Sequence, residues 1–167
     1  MPGGPLVSDT SPLLYLGRVG QLEVLPRLFA PIYIPEQVVL ELETGRLLRD
    51  DTPDPRGLPG VQVVIVTPEM VEALPPNTLG VGERATLAYA VYQRKLRVAL
   101  DDRQARRLAQ RLNLPIVGLV GILLQAKQAG LLLTVQPHLD AARSKGFYLH
   151  PLTYQQALRL AGEASAA

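Results

Sequence analysis

Residues 6–14 read LVSDTSPLL, and this stretch decides the class of fold that we expect for the chain. Its first three residues form a short apolar run typical of a buried β-strand. Asp9 follows that run directly, and Ser11 is suited to cap a helix whose first residue is Pro12, where a missing N–H costs nothing. The stretch therefore predicts a strand, an acidic turn and a helix that ends near residues 17–20.

Strand and helix patterns alternate along the rest of the chain. The strand candidates are residues 6–8, 33–34, 61–66, 98–100 and 116–117. The later helix candidates are residues 35–49, 83–96, 103–112, 120–129, 137–145 and 154–161, with loops around 50–60 and 75–82. Gly130, Gly146 and Gly162 stand where the last three helices should end. This alternation predicts an α/β fold with a mainly parallel sheet of about five strands, in a single domain that covers residues 1–167.

The composition excludes several classes of site. The chain has no cysteine, which rules out thiol catalysis, disulfide bonds and cysteine-bound zinc and agrees with a reducing compartment. The longest apolar run, residues 116–124, is far shorter than the roughly 18 to 20 residues that span a bilayer. The start of the chain does not resemble a signal peptide. We therefore expect a soluble, cytoplasmic protein with no membrane partner.

Acidic side chains stand where a parallel sheet places its ligand sites. Asp9 and the pair Asp101 and Asp102 follow strands, and ligands bind outside the carboxyl ends of parallel strands. Glu83 at a helix start and Glu41 within a helix reach the same edge if the crossovers are right-handed. Converging carboxylates repel one another unless a cation neutralises them, and oxygen ligands suit Mg²⁺ or Mn²⁺. We therefore expect a metal site that activates water against a phosphodiester.

Each of these acids also has a purely structural interpretation. Asp9 could cap the first helix, and either aspartate of the later pair could cap the helix that follows it. Glu83 could be only a favourable charge at a helix N-terminus. Glu43 competes with Glu41 for the position within the second predicted helix, and periodicity does not choose between them.

The order of several short motifs adds a family resemblance. The motifs are residues 8–13 (SDTSPL), 34–42 (IPEQVVLEL), 80–83 (GVGE) and 100–106 (LDDRQAR), followed by 114–118, 127–131 and 146–163. Together they resemble PIN-domain ribonucleases, in particular a PIN-like subgroup of largely unassigned function that is related to VapC-type toxins. Each motif alone is weakly specific, whereas their order is specific and extends over nearly the whole chain.

The resemblance implies a three-layer α/β/α fold and an endoribonuclease that uses Mg²⁺ or Mn²⁺ to cut single-stranded RNA, often as a toxin blocked by a cognate antitoxin. The first three acidic positions of the family match Asp9, Glu41 and Glu83. The fourth matches the aspartate pair and does not decide between Asp101 and Asp102.

Two positions depart from the usual PIN pattern. Leu100 stands two residues before Asp102, where these domains usually have threonine or serine, and Ser11 stands where they usually have asparagine. Ser11 keeps a hydrogen-bonding oxygen, and with Thr10 it is the predicted support behind the metal ligands. The departures favour, as an alternative, a PIN-like module that binds RNA or protein without cleaving.

The basic residues suggest a polyanionic partner. Of the 17 basic residues 14 are arginines, whose planar side chain suits phosphate, although a GC-rich or heat-adapted genome would give the same bias. The predicted RNA-binding residues are Arg103, Arg106, Arg107 and Arg111. They could instead form a solvated helix face, and Arg106 could pair with an acid. Because the chain has only six tyrosines and two phenylalanines, we expect no base-stacking platform.

Partners and other chemistry are less constrained by the sequence. The apolar fraction of 47% favours a homodimer or an apolar face for an antitoxin. The two histidines, His138 and His150, lie late in the chain without a nucleophile-elbow motif, so we expect them to be surface or structural residues. A phosphoacceptor domain that uses Asp9 is a further alternative, but a second acid at that strand end is missing.

Overall fold

The structure is a computed structural model that describes residues 3–94 and 96–164. Met1 and Pro2, Lys95, and residues 165–167 of the predicted domain lie outside the described residues. Five strands form one sheet: β1 (Leu6–Ser8), β2 (Ile32–Pro35), β3 (Val61–Val64), β4 (Arg97–Ala99) and β5 (Ile116–Val117). Every neighbouring pair of strands is parallel, in the order β3-β2-β1-β4-β5. The predicted α/β fold is confirmed.

Helices connect and follow the strands. They are α1 (Thr10–Arg18), α2 (Val24–Leu28), α3 (Glu36–Leu48), α4 (Pro68–Glu72), α5 (Val81–Tyr92), α6 (Arg103–Arg111), α7 (Leu119–Gln128), α8 (Gln136–Ser144) and α9 (Pro151–Leu160), with a 3₁₀ turn at Pro55–Gly57. Gly130, Gly146 and Gly162 follow α7, α8 and α9 with φ of 79°, 105° and 73°. This left-handed backbone favours glycine, so the predicted helix stops are confirmed. Within the described residues, no helix combines the length and apolar character needed to cross a membrane.

The sheet separates two apolar cores. Leu6 belongs to one buried cluster and Val7 to the other, because successive side chains of a strand point to opposite faces. The first cluster contains buried residues of α1, α2, α3, α7, α8 and α9, and the second contains those of α5 and α6. Helices therefore cover both faces, which gives the three-layer arrangement.

The chain winds outward from β1 in both directions. It runs from β1 to β2 and β3 on one side and later returns to place β4 and β5 on the other side. Crevices form outside the carboxyl ends of the strands where the winding direction reverses. Here that point lies between β1 and β4, which are joined by register pairs such as Ser8 with Ala99. Asp9 and Asp101 follow these two strands.

The start of the first helix, and the presence of two short helices, differ from the prediction. The first helix begins at Thr10 with Asp9 at its N-cap position, not at Pro12 with Ser11 as the cap. Pro12 is tolerated at the third helical position because the first four N–H groups of a helix have no intrahelical partner. The sequence reading also missed α2 and α4. Thr67 caps α4 by accepting a 3.3 Å hydrogen bond from the Met70 amide, and the Thr67-Pro68 pair could have revealed it.

Candidate metal and nucleic-acid site

One large groove lies at the carboxyl edge of the sheet. Its volume is about 1470 Å³, which exceeds the roughly 300 to 1,000 Å³ of ordinary small-molecule pockets and suits an extended substrate. The structure places all five predicted acids on its lining: Asp9, Glu41, Glu83, Asp101 and Asp102. The sequence reading therefore located the residues that share this groove.

Asp9 lies at the bottom of the acidic part of the groove. Asp9 is 4% exposed, and its Oδ1 atom is buried without a hydrogen-bond partner among the described residues. Its side chain does not cap α1, which argues against the purely structural interpretation. The pKa of Asp9 is raised to about 7, chiefly by burial, while a backbone hydrogen bond at Thr10 lowers it and the carboxylates of Glu83, Glu41 and Asp101 raise it. A buried acid that other acids surround is poised to receive a cation.

Glu83 enters the groove from the first turn of α5. Its Oε1 atom accepts a 3.3 Å hydrogen bond from the Gly80 amide, while its Oε2 atom is buried and accepts none from the described residues. Burial and then the nearby Asp102 raise the pKa of Glu83 above its ordinary value. Glu83 thus has one oxygen committed to the helix end and one available to a ligand.

The two aspartates after β4 have different surroundings. Asp101 accepts a 3.0 Å hydrogen bond at Oδ1 from the Leu119 amide at the start of α7, and its buried Oδ2 has no described partner. Burial raises the pKa of Asp101 to about 6, although the Leu119 amide and Arg106 lower it. Asp102 is exposed and caps α6, because its Oδ2 accepts a 2.9 Å hydrogen bond from the Ala105 amide. The capping interpretation therefore holds for Asp102 and not for Asp101.

Glu41 reaches the groove from the middle of α3. Its Oε1 accepts a 2.9 Å hydrogen bond from the Gly82 amide, and its Oε2 accepts one from the hydroxyl of Thr10. Glu43 instead forms an ion pair of 3.1 Å with Arg56 and does not line the groove. The structure thus separates two glutamates that periodicity could not distinguish.

The donor set fits a hard divalent cation. Three buried oxygens, Asp9 Oδ1, Glu83 Oε2 and Asp101 Oδ2, come from three different segments and accept no hydrogen bond from the described residues. Buried polar atoms are otherwise almost always paired, so these three oxygens are the candidate contacts for a cation. In residues 3–94 and 96–164, no three His, Cys, Asp or Glu side chains already stand close enough to hold one metal ion together. Mg²⁺ is compatible with fewer than three protein ligands, since it usually keeps several waters and takes one or two carboxylates.

Comparison with known families identifies the family of this chain. A family model described as DUF3368, a PIN domain, matches residues 5–163. The chain belongs to this PIN-domain family. Comparison with curated proteins gave no significant match. PIN domains are a nuclease-type fold, and the resemblance seen in the sequence motifs is thereby confirmed.

The basic face of this PIN domain lies beside the acids. Arg103, Arg106 and Arg107 line the groove, and Arg111 lines a neighbouring cavity of about 630 Å³. Arg107 and Gln110 border both spaces, so the two lie next to each other along α6. Arg106 also donates a 3.0 Å hydrogen bond to the Leu100 carbonyl, so part of its role is to fix the turn after β4.

The sequence did not predict a further set of residues that line the groove. They come from the segment after α8, with Phe147, Tyr148, Leu149 and His150, and from α1, with Tyr15. His150 is not merely a surface residue, since its Nδ1 accepts a 3.1 Å hydrogen bond from the Leu152 amide and caps α9 beside the groove. The only sequence signal was the match of residues 146–163 to the later part of the family pattern.

Proposed function

We propose that this PIN domain is a metal-dependent endoribonuclease that cuts single-stranded RNA. The observation that carries the proposal is the set of three buried carboxylate oxygens without partners, from Asp9, Glu83 and Asp101, beside an arginine-rich helix. A bound cation would relieve the repulsion among these carboxylates. The arginines beside them would attract the phosphates of a nucleic acid.

The groove residues have different proposed roles in metal binding. Asp9, Glu83 and Asp101 are the proposed candidates for the one or two carboxylates that would bind Mg²⁺ or Mn²⁺ directly, with Asp102 and Glu41 adding negative charge at the rim. Thr10 supports the site indirectly, because its hydroxyl donates to Glu41. Ser11 lines the groove next to Thr10 and stays a candidate for the same supporting role. When bound, the cation would supply Lewis acidity and a water of lowered pKa for hydrolysis of the phosphodiester.

The arginines of α6 are the proposed phosphate clamp. Arg103 and Arg107 are exposed on the groove side, so their guanidinium groups can meet phosphate oxygens without losing a buried interaction. The strand would then pass over α6 towards Arg111 and the second cavity. Such a track fits a chain of phosphates better than a small anion.

A toxin role is part of the proposal, with a cognate antitoxin as partner. Leu40, Leu47 and Leu48 of α3 are 56%, 86% and 82% exposed, and Ile65 after the edge strand β3 is 74% exposed. Apolar side chains on this side suit coverage by a partner or by a second copy of the chain. Light scattering of the isolated protein would separate these outcomes, since a stable dimer doubles the mass and an antitoxin site leaves a monomer.

The first experiment is a calorimetric titration of the purified protein with Mn²⁺, run beside Asp9→Asn and Glu41→Gln. Glu43→Gln is the matched control, because it removes the same charge from the same helix outside the groove. We expect saturable binding by the wild type and the control, a large loss in Asp9→Asn, and cleavage of a single-stranded RNA oligonucleotide that follows the same order.

The second candidate function is a module that binds RNA or protein without cleaving. Leu100 and Ser11 at positions where PIN domains usually carry other residues favour it, as does the lack of a preassembled three-ligand cluster among the described residues. Absence of Mn²⁺ binding and of cleavage, together with retained RNA binding, would favour this candidate over the nuclease.

A further inference from the structure

Aromatic residues also line the groove that holds the acids. They are Tyr15, Phe147 and Tyr148, three of the eight aromatic residues in the chain. The small number of aromatics predicted no stacking platform, but the tertiary structure concentrates them at one place.

Tyr148 is the most exposed of these three residues. The rings of Tyr15 and Phe147 are half-buried and pack against each other edge to face, with centroids 5.0 Å apart and planes at 63°. Tyr148 is 76% exposed and lines the same groove. Its ring therefore has room for a flat partner within the groove that the carboxylates and α6 also line.

The backbone around Tyr148 is held on both sides. The Phe147 amide donates a 2.9 Å hydrogen bond to the Ala142 carbonyl of α8, and Leu149, 8% exposed, is anchored in the core. His150 then caps α9. Because alternate residues of this segment are fixed inward, the Tyr148 ring is presented outward at little further cost in conformational entropy.

We infer that Tyr148 is the stacking platform for an unpaired nucleobase of the RNA whose phosphate lies at the carboxylates. This inference rests on the proposed function, and it gives that function a substrate class, since a base must leave a duplex before it can stack on a side chain. Aromatic stacking recognises any base by its face. The platform thus favours single strands over duplexes without fixing a sequence.

The lining residues of the groove then contact different parts of the RNA. The carboxylates with a cation, and Arg107 on α6, would bind the phosphates, while Tyr148 in the same groove would bind a base. A strand held at both its backbone and its bases would have one phosphodiester fixed in register with the acids.

Tryptophan substitution gives a direct test, because the chain contains no tryptophan. Tyr148→Trp in an Asp9→Asn background would be titrated with a ten-nucleotide oligouridine RNA, and binding followed by tryptophan fluorescence. The matched control is Tyr92→Trp in the same background, since Tyr92 is 65% exposed but lies outside both cavities. Tyr92 lies nine positions after Glu83, a distance of about 14 Å along α5.

We expect RNA to quench the fluorescence of the Tyr148→Trp protein and to leave that of the Tyr92→Trp protein unchanged. Binding of fluorescein-labelled RNA should be roughly 5- to 100-fold weaker in Tyr148→Ala and nearly unchanged in Tyr148→Phe, which keeps the ring. An RNA without bases should bind the tyrosine and alanine proteins equally, because only the base contact is removed.

Equal RNA affinity of Tyr148→Ala and the parent protein, or equal quenching at both tryptophan positions, would overturn the inference. Cleavage by the wild-type protein with Mn²⁺ is measured separately on the same RNA. Cleavage without a Tyr148 effect would leave the nuclease proposal intact, whereas a Tyr148 effect without cleavage would leave base stacking intact in a binding module.

Discussion

The Oε1 atom of Glu41 accepts a 2.9 Å hydrogen bond from the backbone amide of Gly82, and this contact joins α3 to α5 at the acidic end of the groove. A Cβ atom at residue 82 would lie 2.6 Å and 2.7 Å from the two carboxylate oxygens of Glu41. The second glycine of the GVGE motif therefore leaves room for the close approach of a glutamate from another helix.

Gly82→Ala should weaken Mn²⁺ binding and RNA cleavage roughly 10- to 100-fold, which is typical of changes to the residues that position metal ligands. The free energy of unfolding should change by less than about 1 kcal/mol, because the clash involves the end of a flexible side chain and alanine favours the helix. Gly57→Ala is the control, as a Cβ there meets nothing within 4 Å. Equal Mn²⁺ affinities of the two variants would contradict this assignment of Gly82.

The metal-free protein should lose stability as the pH rises. Burial raises the pKa of Asp9 to about 7 from an ordinary value of 3.8, so between these values the folded state holds a proton that the unfolded state releases. The free energy of unfolding then falls with rising pH, by at most about 1.4 kcal/mol per pH unit for this group. Asp101, with its pKa raised to about 6, contributes in the lower part of that window.

Asp9→Asn removes this penalty. In EDTA at pH 8 we expect the variant to be more stable than the wild type by on the order of 1 to 4 kcal/mol, and the difference should shrink towards pH 4. Urea unfolding at several pH values measures it. Parallel stability curves for the two proteins would show that Asp9 does not carry the raised pKa.

Substitutions should distinguish the role of Asp101 from that of Asp102. Asp102→Ala removes the cap of α6 and should cost about 0.5 to 2 kcal/mol, whereas Asp102→Asn keeps the cap and should cost little. Because only Asp101 has a buried oxygen without a described partner, Asp101→Asn should lose Mn²⁺ binding and Asp102→Asn should keep most of it. Denaturant unfolding and calorimetry report the two effects, and the reverse order of Mn²⁺ affinities would assign the ligand to Asp102.

Arg107 should contribute to the salt dependence of RNA binding. One lost phosphate contact reduces the slope of log K against log salt by about 0.7 for a single strand. Arg107→Gln should show this change in anisotropy titrations between about 50 and 200 mM salt. Arg159→Gln is the control, because Arg159 is exposed on α9 and lines neither cavity. An unchanged slope in Arg107→Gln would place the phosphates elsewhere.

Local signals predicted the elements of this fold well. Apolar runs marked all five strands to within one or two residues, and glycines marked the ends of α7, α8 and α9. The errors came where two local signals competed, as at the start of α1, where both Asp9 and Ser11 can cap a helix. The helix begins at Thr10, so Asp9 holds the N-cap position, although its side chain makes no capping hydrogen bond.

The sequence by itself determined the alternation of strands and helices, the acids that follow β1 and β4, and the family pattern, because each depends on residues close together in the chain. Tertiary structure placed Glu41 on the groove and Glu43 outside it, showed that Asp102 rather than Asp101 caps α6, and brought Tyr148 to the same groove as Asp9 from 139 residues later in the chain. These results depend on how the crossovers fold back over the sheet. No local pattern encodes that arrangement, since it is fixed only when both apolar faces of the sheet are buried.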